Sequence, residues 1–171
     1  MPDALFEISP YQIADNPFKL IGKDWMLIAA GELDSFNMMT ASWGAVGELW
    51  NKRVAICFVR PQRYTFQFME RVAVYTLNFF DESYRPALDL CGNRSGRDVD
   101  KAKETGLTAI AGTGGAVHFA QARLVLECRK LYAQDIDPNH FIDQTIPPQI
   151  YPGRDFHRMY VGEIVRCLAK P

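Results

Sequence analysis

Apolar and polar residues alternate through most of the chain and predict a domain built mainly of β-strands. The strand signals cover residues 26–33, 38–44, 54–60, 72–79, 107–110, 117–131 with an extension to 136, and 158–168. Helical patterns cover residues 62–71, 82–91 and 99–105. So few helices leave much of an antiparallel sheet uncovered, and we therefore expect the sheet to close into a barrel, which removes its edges.

The longest strand signal, residues 117–131, has one apolar and one polar face. Its even positions are small or apolar, whereas its odd positions include Arg123 and Glu127. A period of two predicts that one face packs on the core and the other faces water or a partner. His118 falls on the apolar side, so we expect it to be a buried histidine with satisfied hydrogen bonds.

Turn and capping residues predict several boundaries. Residues 34–37 predict the turn between the first two strands, Asp98 predicts the start of the third helix, and Gly106 predicts its end. The glycine-rich stretch at residues 112–115 follows no long parallel-strand signal and opens no helix. It therefore fails the context of a dinucleotide-binding fingerprint, and we interpret it as a turn.

Length and charge narrow the class of protein. A chain of 171 residues predicts one domain, residues 1–171, with one sizeable core. A net charge of −1 offers no basic field for nucleic acid or an anionic membrane. No apolar run approaches the roughly 20 residues that span a bilayer, and the first residues lack the pattern of a signal peptide. We expect a cytoplasmic protein with no nucleic-acid or membrane partner.

The cysteines are far apart and form no CxxC pair, so neither a disulfide framework nor a metal site is expected. Cys57, Cys128 and Cys167 fall in strand-like runs and are most simply small buried side chains. Cys91 lies beside a glycine-rich turn, where exposure is the alternative to burial.

Residues 36–50 mix small, hydroxylated and aromatic side chains where an ordinary strand would alternate. The mixture suits a large planar heterocycle with polar edges, held by a few hydrogen bonds in an apolar site. The candidate contacts are Asn37, Met39, Thr40, Ala41, Ser42 and Trp43. A strand with an irregular polar end and core tryptophans explains the segment equally well, so both interpretations stay open.

A buried strand at residues 54–59 leads directly into a basic segment that opens a helix. Pro61 suits the first turn of a helix but not a central strand. Helix N–H groups, the helix dipole and guanidinium groups meet there, which predicts a phosphate site. Its candidate residues are Arg60, Arg63, Tyr64 and Thr65. For an isolated RPxR motif, a solvated basic turn would be the better interpretation.

Two further segments follow these two in the chain, Thr76–Phe80 and Cys91–Lys101. In this order, the four segments resemble the flavin reductase-like family and most of all its flavoredoxin-like branch. The resemblance runs from about Asp24 to Val165. It implies a mainly β fold with helical inserts, namely an FMN-binding split β-barrel, and a homodimer with the flavin at the subunit interface.

The resemblance also implies roles for particular residues. The FMN phosphate would lie on residues 60–65, the isoalloxazine along residues 37–43, and Ser95 and Gly96 near the flavin. His157 precedes the final strand and is either structural or a catalytic residue that relays a proton at the flavin.

Three functions are compatible with this resemblance. The first is an NAD(P)H-dependent flavin reductase, in which NAD(P)H binds transiently and delivers hydride to flavin N5. The second is a flavoredoxin-like FMN electron carrier between protein partners. The third is a flavin-free binding module on the same barrel. We rank the reductase first by analogy with the family, because a fold alone does not determine a function.

Overall fold

The computed structural model describes residues 4–171, in which ten strands and five short helices are joined by 3₁₀ turns and by one π-helical turn, Leu20–Asp24. The strands are β1 Phe6–Ile8, β2 Met26–Glu32, β3 Ser35–Ala41, β4 Gly44–Leu49, β5 Lys52–Val59, β6 Val74–Phe79, β7 Ala109–Ala111, β8 Val117–Phe119, β9 Leu124–Asp135 and β10 Arg158–Ala169. The helices are α1 Pro17–Lys19, α2 Tyr64–Arg71, α3 Arg85–Asn93, α4 Lys101–Thr105 and α5 Ile146–Ile150.

All strand pairs are antiparallel, and the main sheet has the order β3-β2-β6-β9-β10-β5-β4. β10 pairs with three other strands. It pairs with β9 along its length, with β5 through its first half, and with β1 through its last residues. β7 and β8 form a separate hairpin. The prediction of a mainly β fold with helical inserts is confirmed.

Within residues 4–171 the two edges of the curled sheet do not pair with each other, so the predicted closed barrel is wrong in this detail. β3 and β4 are the two edge strands of the main sheet, yet only Ser42 and Trp43 separate them along the chain. The chain takes three Cα–Cα steps from Ala41 to Gly44, which span at most about 11 Å, so the ends of the two edge strands lie close together at this link. The result is a barrel that is split along β3 and β4.

The strands bury apolar residues on both faces. Inside the curled sheet, Ile28 of β2 packs with Tyr75, Leu126 and Tyr160. On the outside, Leu27 of the same strand packs with residues of α3, β8 and β9 in a second apolar cluster. The second cluster includes Met38 of β3 with Leu88 and Cys91 of α3, so it fixes α3 against β3.

The strand predicted at residues 117–131 is broken. β8 ends at Phe119, and a turn in which the Ala122 N–H donates to the Phe119 carbonyl at 3.0 Å precedes β9. The alternation continues through this turn without glycine or proline, so the pattern alone did not mark it. The predicted polar face of β9 is also wrong, because Glu127 is 0 % exposed.

Glu127 is buried because the loop at residues 112–115 covers it. The Thr113 N–H donates to Glu127 Oε2 at 3.0 Å. His118 is buried as expected, but within residues 4–171 its Nδ1 has no hydrogen-bond partner and lies 3.4 Å from Glu127 Oε1. The expectation of a fully satisfied histidine is therefore wrong.

Other boundaries also differ from the predictions. The β2–β3 turn is at Leu33 and Asp34, so β3 begins at Ser35 and includes residues assigned to the turn. Asp100, not Asp98, caps α4, while Gly106 ends it in the left-handed conformation as predicted. β1, α1, β4 as a separate strand, and α5 were not predicted.

The four cysteines are all buried and free, including Cys91. No helix within residues 4–171 is long and apolar enough to cross a bilayer. The described part of the chain also contains no cluster of three or more His, Cys, Asp or Glu side chains suited to a metal ion.

Candidate functional site

A polar pocket of about 230 Å³ forms where β3, the start of α2 and the loop after α3 meet. Asn37 of β3, Arg63 and Thr65 at the start of α2, and Ser95 and Gly96 of the loop all line it. The chain turns sharply between β5 and α2, where the Arg63 N–H donates to the Arg60 carbonyl at 3.0 Å. Tyr64 also lines the pocket, so the structure brings together six of the predicted site residues.

Asn37, Thr65 and Gly96 fit together closely. The Asn37 side-chain amide donates to Thr65 Oγ1 at 2.9 Å, and both residues are buried. A Cβ atom added to Gly96 would lie 2.1 Å from Asn37 Oδ1, so any side chain there would displace the amide. A residue without a side chain is thus required where the loop meets β3.

The charged side chains that line the pocket are all cationic. Arg63, Arg94, Arg97 and Lys101 contribute to its wall, and no Asp or Glu within residues 4–171 does. The Arg63 guanidinium donates to the carbonyl oxygens of Gly92 and Cys91 at 3.2 and 3.4 Å. Burial lowers the pKa of Arg63, which a bound anion would offset.

Lys101 is a site residue that the sequence-based list omitted. It is 4 % exposed, and its Nζ donates to the carbonyl oxygens of Met38 and Cys91 at 2.8 Å each. Burial lowers its pKa to about 8. The available signal was the resemblance of residues 95–101 to a Ser-Gly…Asp…Lys segment. A lysine in a five-residue helix would otherwise be assigned to solvent.

Arg60 lies apart from the polar pocket, contrary to the prediction that it joins Arg63. Its guanidinium pairs with the Asp155 carboxylate and donates to the Ile150 carbonyl at 3.1 Å. It also lies 5.1 Å from the centre of the Tyr151 ring. No local pattern predicts that the β9–β10 connection supplies a carboxylate to Arg60. This carboxylate already compensates the charge of Arg60.

An aromatic cluster surrounds His157 at the end of the β9–β10 connection; its members are Trp43, Phe58, Tyr151, Phe156 and His157. The Tyr151 hydroxyl lies 2.7 Å from His157 Nδ1, and the Trp43 ring lies 5.2 Å from the imidazole. His157 is 8 % exposed, whereas Trp43 is 46 % exposed and reaches solvent. The structure thus places His157 beside Trp43, the last of the predicted ring contacts in residues 37–43.

His157 is neutral at pH 7, because burial and the nearby Arg60 lower its pKa to about 4. A neutral imidazole has one ring N–H to donate and one ring nitrogen to accept. If Tyr151 donates to Nδ1, the Nε2–H remains as a donor for a ligand in the cluster. His157 is therefore suited to hydrogen bonding and not to supplying a positive charge.

Replacing His157 by Gln is expected to reduce the acid sensitivity of the fold. The pKa of His157 is about 4 when folded and near 6.5 when unfolded. Between these values only the unfolded chain takes up the proton, so falling pH favours unfolding. The wild type should lose about 2–3 kcal/mol more than the variant between pH 7 and pH 4. Urea unfolding at both pH values measures this difference.

The matched control for that experiment is His140→Gln, at an exposed histidine in the same connection. Its stability should follow that of the wild type at both pH values. Equal acid sensitivity in the wild type and His157→Gln would show that the His157 imidazole is not held neutral by its surroundings.

Gln62 lies between the polar pocket and the aromatic cluster. It lines the polar pocket, and its side-chain amide donates to Asp155, the partner of Arg60. The segment from Arg60 to Thr65 therefore passes from the aromatic cluster to the polar pocket, and the two regions adjoin.

The remaining predicted contacts in residues 39–42 do not line the polar pocket. The Met39 side chain lies in the apolar core, so only its backbone is available to a ligand. Thr40 Oγ1 donates to the Leu88 carbonyl and thereby ties β3 to α3. Ala41 and Ser42 are half-buried, and Ser42 and Trp43 line a further cavity of about 400 Å³ beside α1.

Comparison with known proteins agrees with the fold and the motifs. The family model of the flavin reductase like domain matches residues 19–171. A flavoredoxin from Methanosarcina acetivorans superposes with a TM-score of 0.67 at 20 % identity, covering 96 % of this chain and 75 % of that one. An FMN-binding protein from Thermus thermophilus, with bound p-hydroxybenzaldehyde, gives 0.67 at 17 %, covering 95 % and 78 %.

A third solved structure is an NADH:FAD oxidoreductase from Streptomyces globisporus in complex with NAD and FAD fragments. It superposes with a TM-score of 0.62 at 15 % identity, covering 84 % of this chain and 73 % of that one. No curated protein matches the chain. These likenesses confirm the split-barrel fold, and the match of the family model to residues 19–171 shows that the chain belongs to the flavin reductase-like family.

Proposed function

We propose that the protein is an FMN-binding oxidoreductase that NAD(P)H reduces, with the polar pocket as its phosphate site and the aromatic cluster beside its flavin ring. The observation that carries this proposal is the lining of the polar pocket. Arg63, Arg94, Arg97 and Lys101 surround it at the N-terminus of α2, without a carboxylate from residues 4–171.

A phosphate monoester fits this donor set. Guanidinium and ammonium groups bind phosphate oxygens through charge-assisted hydrogen bonds. The first turn of a helix adds N–H groups without intrahelical partners and the positive end of the helix dipole. Arg63 and Thr65 hold the phosphate in this proposal, and Lys101 has a third N–H beyond the two that its carbonyl partners use.

Bound FMN would supply hydride and electron transfer, while the chain binds, orients and shields it. Gln62 marks the direction from the polar pocket to the aromatic cluster, so the planar ring would follow β3 towards Trp43. His157 would donate from its neutral imidazole to a ring oxygen or nitrogen, and Tyr151 fixes the orientation of the imidazole. A homodimer, as the resemblance implies, is part of the proposal and is tested by light scattering.

A flavoredoxin-like electron carrier is the second candidate. The observation in its favour is the exposure of Trp43, which places an aromatic ring between His157 and solvent. A protein partner could approach the cluster there. A carrier would accept electrons slowly from free NAD(P)H and rapidly from its partner.

An absorbance spectrum, followed by anaerobic titration with NADH and NADPH, tests the proposal. We expect added FMN to stay with the protein through desalting and its absorbance to bleach with a pyridine nucleotide. Retained FMN that resists both nucleotides would favour the electron carrier. A protein that takes up no flavin would overturn both candidates and leave a flavin-free binding module.

A further inference from the structure

An apolar cavity of about 400 Å³ lies between α1, with the turn after it, and the first half of β4. Phe18 and Trp43 are the aromatic residues of its wall, and Phe18 is 87 % exposed. No Asp, Glu, Lys, Arg or His from residues 4–171 lines this cavity. Its volume lies in the usual range of small-molecule sites, about 300–1,000 Å³. The cavity therefore suits an uncharged ligand with a flat apolar surface.

The backbone that forms one wall of the apolar cavity is irregular and firmly held. Two residues of the π-helical turn Leu20–Asp24 line the cavity, and such turns are frequent at functional sites. The next residue, Trp25, has φ 68° and ψ 173°, a region that glycine normally occupies. The Arg85 guanidinium lies 4.0 Å from the centre of the Trp25 ring and donates to the Lys23 carbonyl at 2.6 Å. These contacts fix the wall before a ligand binds.

The apolar cavity adjoins the aromatic cluster through Trp43. The Trp43 ring lines the cavity and also lies 5.2 Å from the imidazole of His157. Ser42 is the polar residue of the lining, and within residues 4–171 no hydrogen bond engages its side chain. A hydroxyl of this kind can donate to a carbonyl oxygen. A flat ligand with a carbonyl group therefore fits the lining, next to the ring site of the proposed function.

We propose that the apolar cavity binds the electron acceptor of the enzyme, and that this acceptor is a neutral quinone. The inference rests on the proposed function, which supplies the reductant, FMN reduced by NAD(P)H. The quinone takes a hydride from N5 of reduced FMN, so the N5–H bond breaks and an O–H bond forms at one quinone carbonyl. The displaced electron pair passes through the quinone to its second carbonyl oxygen, which takes a proton from water. The products are the hydroquinone and oxidised FMN.

The uncharged lining disfavours a nucleotide as the ligand of this cavity. FMN and NAD(P)H carry phosphate groups, and a charge taken out of water without a partner is costly. The cationic side chains that suit a phosphate lie at the polar pocket instead. The polar pocket and the apolar cavity therefore take different classes of ligand.

The test measures the binding of menadione, a neutral naphthoquinone, to the FMN-loaded protein by calorimetry. Naphthoquinone sulfonate has the same ring with a negative charge, and we expect it to bind at least about tenfold more weakly. Ala45 lines the cavity and is exposed, so Ala45→Arg places a cation in the wall. This variant should bind menadione more weakly and the sulfonate more tightly, because the guanidinium pairs with the sulfonate. A general disturbance of the fold would not improve sulfonate binding.

Phe18→Ala removes one aromatic wall of the cavity. It should weaken menadione binding about fivefold and raise the KM for menadione by a similar factor. NAD(P)H should bleach its bound FMN as in the wild type. Phe6→Ala is the matched control, since Phe6 is an exposed aromatic residue of β1 outside the lining. Its menadione binding should equal that of the wild type.

Several results would contradict the quinone site. Equal wild-type affinities for menadione and the sulfonate would overturn this inference alone, as would a protein that NAD(P)H bleaches but that binds no menadione. An Ala45→Arg protein with wild-type affinity for the sulfonate would do the same. If Phe18→Ala changes the oligomeric state in light scattering but not menadione binding, the cavity belongs to an interface with a second copy of the chain. Failure to bind any flavin would instead overturn the proposed function.

Discussion

Replacing Arg63 by Met is expected to weaken FMN binding by about 2 kcal/mol, a factor of about 30, because charge-assisted hydrogen bonds to phosphate are lost. Riboflavin has the same ring but no phosphate, so its affinity should change little. The difference between the two ligands separates a phosphate contact from a general disturbance of the site, which matters because Arg63 also bonds to carbonyls at the end of α3. Quenching of flavin fluorescence on binding measures the affinities for FMN and for riboflavin.

Two further arginine variants serve as controls for the effect of Arg63→Met on FMN affinity. Arg71→Met changes an exposed arginine at the other end of α2 and should bind FMN like the wild type. Arg60→Met should lose less FMN affinity than Arg63→Met, since Asp155 already pairs with Arg60. If Arg60→Met has the larger effect, the phosphate lies with the aromatic cluster and the assignment of the polar pocket is wrong. Equal losses of FMN and riboflavin affinity in Arg63→Met would also contradict it.

Replacing Gly162 by Ala should destabilise the fold by about 3 kcal/mol, at the upper end of what one extra methyl group costs in a packed core. Gly162 lies in β10 where the pairing with β9 shifts register. An added Cβ would lie 2.6 Å from the Tyr75 hydroxyl and 2.8 Å from Cys128 Cβ. Both neighbours are completely buried, and Cys128 Cβ cannot move without its strand.

Gly47→Ala is the matched control for this substitution. Gly47 also lies in a strand, the exposed edge strand β4, and an added Cβ there meets no atom within 4 Å. Its free energy of unfolding should stay within about 0.5 kcal/mol of the wild type. Urea unfolding of both variants and the wild type measures these free energies of unfolding. A Gly162→Ala protein as stable as Gly47→Ala would mean that β9 and β10 separate more easily than their packing indicates.

The central strands of the fold could be predicted from the sequence because their burial follows their alternation. β2, β5, β6 and β10 lie within two residues of the predicted bounds. The break before β9 could not be predicted, since no glycine or proline marks it. The burial of Glu127 depends on a loop from elsewhere in the chain, and a local pattern does not contain that contact.

The candidate site could be predicted in part. Asn37, Arg63 and Thr65 were found from local chemistry, and the structure brings them into one pocket. Arg60 carries the same charge in the same motif, yet its partner lies 95 residues away in the sequence. Lys101 was missed because lysine is normally exposed, and its burial arises only when α4 packs on β3 and α3.

The position of β10 has a consequence for the order of folding. Among the described strands, β5 pairs only with β4 and β10. The β4–β5 hairpin therefore has no paired neighbour among them until β10 lies between β9 and β5. On the ribosome, the N-terminal part of a chain emerges first. The barrel therefore completes only after residues 158–169 have left the exit tunnel, and the hairpin must wait for them without joining the wrong strand.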